Sequence, residues 1–424
     1  MILATVAFVA LLALGLPIGF VMLGASMAYF ALNPMMASIV AQRMSTGLES
    51  FPLLAIPLFV VAGAAMARGG IADRLYGFCE ALVGHWRGGL AQIAVLNSVF
   101  MGAMSGSANA DAAIDARTIV PVMRKHGYTN AYGSVVSAAS SLIAPIMPPS
   151  IALIVYGLLT NTSIGKLFVG GIVPALIIAA ALMLTVRHTA GRMKLTEIRT
   201  TRATRSEVLG HGRAALWALA MPVMLLVGLR GGWFTPTELG AVAAVYAFVV
   251  GAFIYRGIRL PETFDLLRES ALTTAGVMFI VASASVFSLI LSLEQVPQAL
   301  IGALTGISDN KIVVLIVINI ALLILGTVFE GLAIIVILGP MLVQLANTLG
   351  IDPVHLGVVL VFNTAIGSLT PPVGTVMFTV CSITRCSVEE FTRAFLPFLW
   401  ALLGVLALLT FVPALVTFLP NLMF

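Results

Sequence analysis

The sequence predicts an all-α integral membrane protein built as an inverted-topology repeat, with two re-entrant hairpins and two broken helices. Three observations lead there. Of the 424 residues, 60% are hydrophobic and only 9% charged, with mean hydropathy +1.10, whereas a soluble domain carries about 25% charged residues. Two apolar runs, "SLIAPIMPPSIALIVYG" (141–157) and "AIGSLTPPVGTVMFTVC" (365–381), each hold two adjacent prolines at their centre. Lys and Arg crowd onto some connecting segments and avoid others, which fixes the orientation of membrane helices. The apolar runs have helical length and lack the ten-residue alternation of an outer-membrane barrel.

The net charge of +5 reads as cytoplasmic loops, not as a nucleic-acid-binding surface. The first thirty residues show no charged n-region and no A-x-A site, so no removable signal peptide is expected. Cys381 and Cys386 have no further Cys or His beside them, so no metal centre is expected on them.

Taken in order, residues 2–33 read as membrane-spanning, followed by an amphipathic arm at about 36–48. The stretch 89–124 is apolar but basic at both ends, with His85 and Arg87 before it and Arg124, Lys125 and His126 after it. It therefore enters and leaves on the cytoplasmic side as a hairpin whose tip is "SGSANAD" (105–111). The first double proline follows. Residues 188–213 form a cytoplasmic loop with Arg192, Lys194, Arg199, Arg202, Arg205 and Arg213 against Glu197 and Glu207.

A span at about 214–230 then runs outward. In "GGWFTPTELG", Thr235, Pro236 and Glu238 form a capping box with proline at the first helical position, and the helix so started runs inward to Arg256 and Arg259. A second amphipathic piece, 262–270, is expected at the interface, and 273–292 goes out again. The stretch 312–348 is flanked by "TGISDNK" and "NTLGIDPVH", almost without Lys or Arg. It reads as a second hairpin, entered from the opposite side, with its tip at "GTVFEG" (326–331). The second double proline closes the series.

The halves repeat. "IPLFVVAG" (56–63) resembles "GVMFIVAS" (276–283), Asp111 precedes Pro121 as Glu330 precedes Pro340, and each half then breaks at a double proline. About 15–187 matches about 236–417, while the loop charges give the two opposite orientations. That is the architecture of many secondary transporters.

Lipid satisfies no backbone group, so broken helices survive only where buried in protein or lining a cavity. Freed carbonyls suit a hard cation, and freed N–H groups at a helix N-terminus suit an anion. "SGSANA" also reads as an ordinary small-residue packing surface; its pairing with a proline break in each half favours binding. Asp111, Asp115, Arg117 and Glu330 are the charges nearest the tips. Ionised groups at mid-membrane depth are costly, and Asp111 and Glu330 are read as supporting charges that pin or cap half-helices, with direct ion ligation as the alternative. Asp111 and Asp115 sit on one helix, unlike a protease pair converging from separate elements. The five histidines are scattered, so no enzyme is expected, and no span carries the continuous polar stripe of a channel.

"SGSANADAA", "PPSIALIVYG", "GGWFTPTE" and "TPPVG" resemble, in order and over nearly the whole chain, the large membrane subunit of tripartite ATP-independent periplasmic (TRAP) transporters. The resemblance implies Na⁺-driven import of organic anions, typically carboxylates such as C4-dicarboxylates or sialic and sugar acids, across the bacterial inner membrane. It implies two partners, a periplasmic substrate-binding protein and a small four-helix membrane subunit. Nothing like the small subunit precedes the large-subunit motifs, so it is expected on a separate chain. It implies an elevator, with scaffold in 1–50 and 214–270 and a transport domain in 51–187 and 271–424. By motif match, one Na⁺ lies among Ser105, Ser107, Asn109, Ala144 and Pro145, and a second among Gly326, Thr327, Gly367 and Thr370. The carboxylate lies near Asn109, Ser150, Thr370 and Gly374. No other metal and no cofactor is implied. "AAIDARTIV" departs from the family pattern by placing Asp115 and Arg117 where small apolar residues are expected. The alternative reading is a self-sufficient Na⁺/dicarboxylate symporter with a similar hairpin arrangement.

Overall fold

The structure, a computed structural model, describes residues 2–31, 37–193, 198–199, 201–307 and 310–424. Lys194, Glu197, Ser308 and Asp309, which figured in the charge reading or flank its hairpins, lie outside these residues. The described residues form helices throughout, and seven helices are long and apolar enough to cross a membrane.

α1 (Ile2–Ala13) and α2 (Ile18–Ala31) are joined by a turn in which Gly15 takes φ 74° and Pro17 precedes the second helix. The 2–33 stretch is thus two short helices packed against each other. Twelve residues give α1 a length of only about 18 Å. α3 (Ala37–Leu48) is the first arm, and Pro52 stands in the turn between it and α4 (Ala55–Arg68). α5 (Ile71–Val83) leads to the first hairpin, α6 (Gly89–Ser105) and α7 (Ala108–Lys125). The first broken helix is α8 (Asn130–Ser140) and α9 (Ile151–Thr160), followed by α10 (Ile164–Met193).

The loop expected at 188–213 is helical at both ends, since α10 runs to Met193 and α11 (Arg205–Arg230) starts at a capping box of Thr204 and Glu207; α12 (Pro236–Val249) starts at that of Thr235 and Glu238. In the latter the Glu238 carboxylate accepts the Thr235 N–H at 2.7 Å, and the Thr235 hydroxyl accepts the Glu238 N–H at 3.3 Å.

α13 (Leu260–Leu293) corrects the expectation of a separate second arm at 262–270, because arm and span form one continuous 34-residue helix. The reason is local. Pro261 sits in the first turn, where proline is tolerated, and no further Pro or Gly interrupts the chain before Gly276. α14 (Val296–Ile307) leads to the second hairpin, α15 (Lys311–Gly326) and α16 (Gly331–Thr348). α17 (Pro353–Gly367) and α18 (Thr375–Thr384) are the second broken helix, and α19 (Val388–Phe411) and α20 (Ala414–Met423) end the chain. The series from α4 to α10 is therefore repeated, element for element, from α13 to α19.

The two halves interlock through their broken helices. The buried Tyr156 of α9 donates its hydroxyl to the Pro353 carbonyl at 2.7 Å, its ring lying against Gly357 of α17. Reciprocally, Asn130 of α8 donates to the Thr384 carbonyl at 2.9 Å and Ser134 to the Thr384 hydroxyl at 2.8 Å, which ties α8 to α18. α6 and α17 are buried along nearly their whole length, whereas α15 keeps Ile312, Ile316, Ile320 and Ile324 exposed along one face.

Candidate functional site

α6 ends because Gly106 turns left-handed (φ 59°) and its N–H closes on the Gly102 carbonyl at 3.1 Å. Glycine is required at both positions. A methyl group on Gly102 would lie 2.8 Å from the Ala144 Cα, and one on Gly106 would run into the Pro149 carbonyl. Hairpin tip and first break are thus in backbone contact. Ser107 caps α7 by accepting the Ala110 N–H at 3.4 Å, and the Ser105 hydroxyl accepts the Ser107 N–H at 3.5 Å. The Asn109 side-chain oxygen is buried and has no hydrogen-bond partner.

At the first break, Ser150 donates its hydroxyl to the Pro145 carbonyl and accepts the Leu153 N–H at 3.1 Å, which starts α9. The Pro148–Pro149 bond is cis. No described group donates to the Ala144 carbonyl.

The second half repeats the construction with different side chains. Gly326 and Gly367 meet backbone to backbone, and Gly331 lies against Thr364. The Thr327 carbonyl accepts the N–H groups of Val373 at 3.0 Å and Gly374 at 3.2 Å, which pins tip to break. The Thr370 hydroxyl donates to the Ile366 carbonyl at 3.1 Å, and the Gly367 carbonyl accepts the Thr370 N–H at 2.9 Å. The Gly326 carbonyl accepts nothing from the described residues. Pro371–Pro372 is cis, Gly374 takes φ 35°, and neither Gly374 nor Glu330 caps its helix with a side chain.

A cavity of about 1270 Å³ lies over both tips and both breaks. Its wall includes the first residues of four helices: Ala108 and Asn109 of α7, Ile151 and Ala152 of α9, Gly331 and Leu332 of α16, and Thr375 and Val376 of α18. The N–H groups of Ala108, Asn109, Ile151, Gly331 and Thr375 donate to no described acceptor. Such termini carry partial positive charge aimed at one space.

Of the residues expected at a site, Ser105, Ser107, Asn109, Pro145 and Glu330 line this cavity. Ala144, Ser150, Gly326, Thr327, Gly367, Thr370 and Gly374 lie behind the wall, in the tip-to-break contacts, and Asp111 is fully buried within the hairpin. The sequence reading missed Thr364 and Ser368, which line the cavity one helical turn apart ahead of the second break. Their i, i+4 spacing is the one trace in the sequence, and it does not say which way the hydroxyls face. It also missed the ion pair between Arg68 and Glu269, which joins α4 to α13 at the cavity wall. Arg117 lines the same space.

The donor set fits a hard monovalent cation. Oxygen atoms without partners stand at Ala144, Asn109 and Gly326, each beside a tip or break, and oxygen ligands are what such ions take. The Thr327 carbonyl is already engaged by two N–H groups, those of Val373 and Gly374, whereas the Gly367 carbonyl accepts one, that of Thr370, and keeps a lone pair.

Residues 5–415 match the family described as "Tripartite ATP-independent periplasmic transporter, DctM component". The chain is 42% identical over 364 residues to the C4-dicarboxylate TRAP transporter large permease protein of Pseudomonas aeruginosa, covering 86% of this chain and 85% of that protein. It is 39% identical over 402 residues to the sialic acid TRAP transporter large permease protein of Vibrio cholerae, covering 94% and 93%. Among solved structures, the YdaH transporter of Alcanivorax borkumensis shares the fold at a TM-score of 0.65 and 15% identity, over 97% of this chain and 98% of that one. With a family match across almost the whole chain and relatives of that identity on both sides of it, this multi-pass membrane protein belongs to the DctM family, the large permease component of tripartite ATP-independent periplasmic transporters.

Proposed function

We propose that the chain carries an organic carboxylate across the bacterial inner membrane in symport with Na⁺, receiving it from a periplasmic binding protein and working beside a small four-helix subunit. The observation that carries this reading is the convergence of four helix N-termini on one cavity. An anion there meets several free N–H groups and four aligned dipole ends without needing a fixed cation. Large relatives named for C4-dicarboxylate and sialic acid transport make a carboxylate the natural charged group.

Coupling follows from the arrangement. The free oxygens at Ala144 and Gly326 lie in the tip-to-break contacts, behind the N-termini that face the cavity, and that of Asn109 lies at the first tip, on the cavity wall. A cation held at each contact stabilises the tip against its break and adds positive charge near the substrate carboxylate. Each ligand therefore binds better with the other present, and by linkage the effect is reciprocal. The cavity is also lined by Leu12 of α1 and by Ile18, Gly19 and Phe20 of α2, in the stretch read as scaffold, which suits an elevator that slides hairpins and breaks past them.

The test is uptake by the complete transporter in proteoliposomes, with Na⁺ varied against choline. Ser107→Ala, Asn109→Ala and Thr370→Ala are expected to raise the Na⁺ concentration for half-maximal uptake. Uptake indifferent to Na⁺ in the unmodified transporter would overturn the coupling.

A further inference from the structure

A polar cluster lies between the limbs of the first hairpin, and the tip-and-break reading leaves it unused. α6 supplies Asn97 and Ser98; α7 supplies Asp111 and Asp115, one turn apart. Both carboxylates are 0% exposed and Asn97 is 3% exposed. Asp115 accepts the Asn97 side-chain N–H at 3.3 Å and the Ser98 hydroxyl at 3.4 Å. Neither oxygen of Asp111 has a partner, and the side-chain oxygen of Asn97, on the amide that touches Asp115, has none either.

No described basic side chain answers these charges. The ion pairs among the described residues join Arg68 to Glu269, Arg199 to Glu207 and Arg393 to Glu389. The neighbouring positions on the same face of α7 are Ala112 and Ala116, both buried, and Ser137 of α8 spends its hydroxyl on the Ala112 carbonyl at 3.1 Å. A buried carboxylate with neither hydrogen bond nor counter-charge is strongly disfavoured. The cluster offers oxygen donors from two helices, and α5 brings Tyr76 and the buried Cys79 near Asp115.

We infer that this cluster is a third Na⁺ site, in which Asp111, the Asn97 oxygen and Ser98 hold the ion and Asp115 orients the Asn97 amide and Ser98. The inference rests on the Na⁺ coupling proposed above and adds one ion to it. It is separate from the tip: Asn109 and Asp111 are two residues apart and so point to different faces of α7, Asn109 to the cavity and Asp111 into the hairpin. Holding α6 to α7 by an ion makes closure of the whole hairpin, and not only of its tip, depend on Na⁺.

The test counts ions on the purified full chain in detergent. Well above saturation, stability rises with ln[Na⁺] at a slope of RT times the number of ions bound on folding. Thermal unfolding is followed in NaCl against choline chloride at constant ionic strength. Asp111→Asn is expected to lower that slope by about one third, three ions becoming two, and Asn97→Ala to do the same should the first variant fold poorly. A sodium-dependent parent whose slope both variants keep overturns the third site and leaves the coupling standing. A sodium-independent parent overturns the coupling and the site together. A slope that both variants keep while the pH dependence of unfolding changes assigns the pair to a proton and likewise overturns the site.

Discussion

Gly326 and Gly367 touch backbone to backbone: a methyl group on Gly367 would lie 2.5 Å from the Gly326 Cα. This contact joins the second hairpin tip to the second break, as Gly102 and Ala144 join the first. Glycine there brings two main chains close enough for their carbonyls to face a shared ligand.

Gly367→Ala is therefore expected to destabilise the protein by about 1–3 kcal/mol through overpacking, and to abolish uptake even where folding survives. Gly404→Ala is the control, since nothing lies within 4 Å of the methyl group it adds. Thermal unfolding and uptake of the two variants check the point, and equal behaviour would show that the glycine contact has no role.

A second expectation concerns the interlock of the halves. Tyr156→Phe removes the hydrogen bond to the half-buried Pro353 carbonyl while keeping the ring in place. The cost is about 1 kcal/mol, read as a lower unfolding temperature of the purified chain. Gly357→Ala, which would drive a methyl group into the same ring, is expected to cost more.

Much of this architecture was legible because membrane physics writes it into composition. Both hairpins were readable from length together with charge at their ends: Arg124 and Lys125 at one, hardly any base at the other. The breaks were readable because two prolines cannot sit inside a helix. The continuity of α13 was not legible, since "LRESALTTAG" carries enough charge to read as an interfacial piece although nothing in it stops a helix. α5 and α14 left no such mark, being short helices without a distinctive charge pattern, and Pro297 stands in the first turn of α14, where proline does not break a helix. Thr364 and Ser368 escaped because a hydroxyl in a membrane helix usually donates to its own preceding turn, as both also do here. Only three-dimensional placement shows that they face the cavity.

The opposite entry of the two hairpins predicts a labelling pattern. Lys125 and Asn347 are both exposed at the C-terminal ends of the outgoing limbs, and the three native cysteines are buried. In intact cells lacking an outer membrane barrier, an impermeant maleimide is expected to modify Asn347→Cys and to spare Lys125→Cys. Lys125→Cys becomes reactive after the membrane is opened. Equal modification of both before lysis would remove the inverted repeat from the argument.

The last expectation concerns what the chain does alone. Its scaffold helices present large apolar side chains outward, among them Leu216, Trp217, Val223 and Val227 on α11 and Val245, Val249 and Phe253 on α12. Such a surface rests equally well in lipid or against another membrane helix, and so demands no partner by itself. The demand comes from capture. The charged groups at the ends expected to face outward, Lys166, Arg230 and Lys311 against Glu238, Glu294 and Asp352, balance in sign, so little net field is available to steer a free anion toward the cavity. Membership in a tripartite family supplies the remedy, since delivery by a soluble carrier replaces steering by docking. The purified chain in liposomes is therefore expected to move no carboxylate, even under inward Na⁺ and voltage gradients. Uptake should appear only when a small membrane subunit and a substrate-loaded binding protein are both added. Rapid uptake of free carboxylate by the chain alone would favour a self-sufficient symporter and end the requirement for delivery.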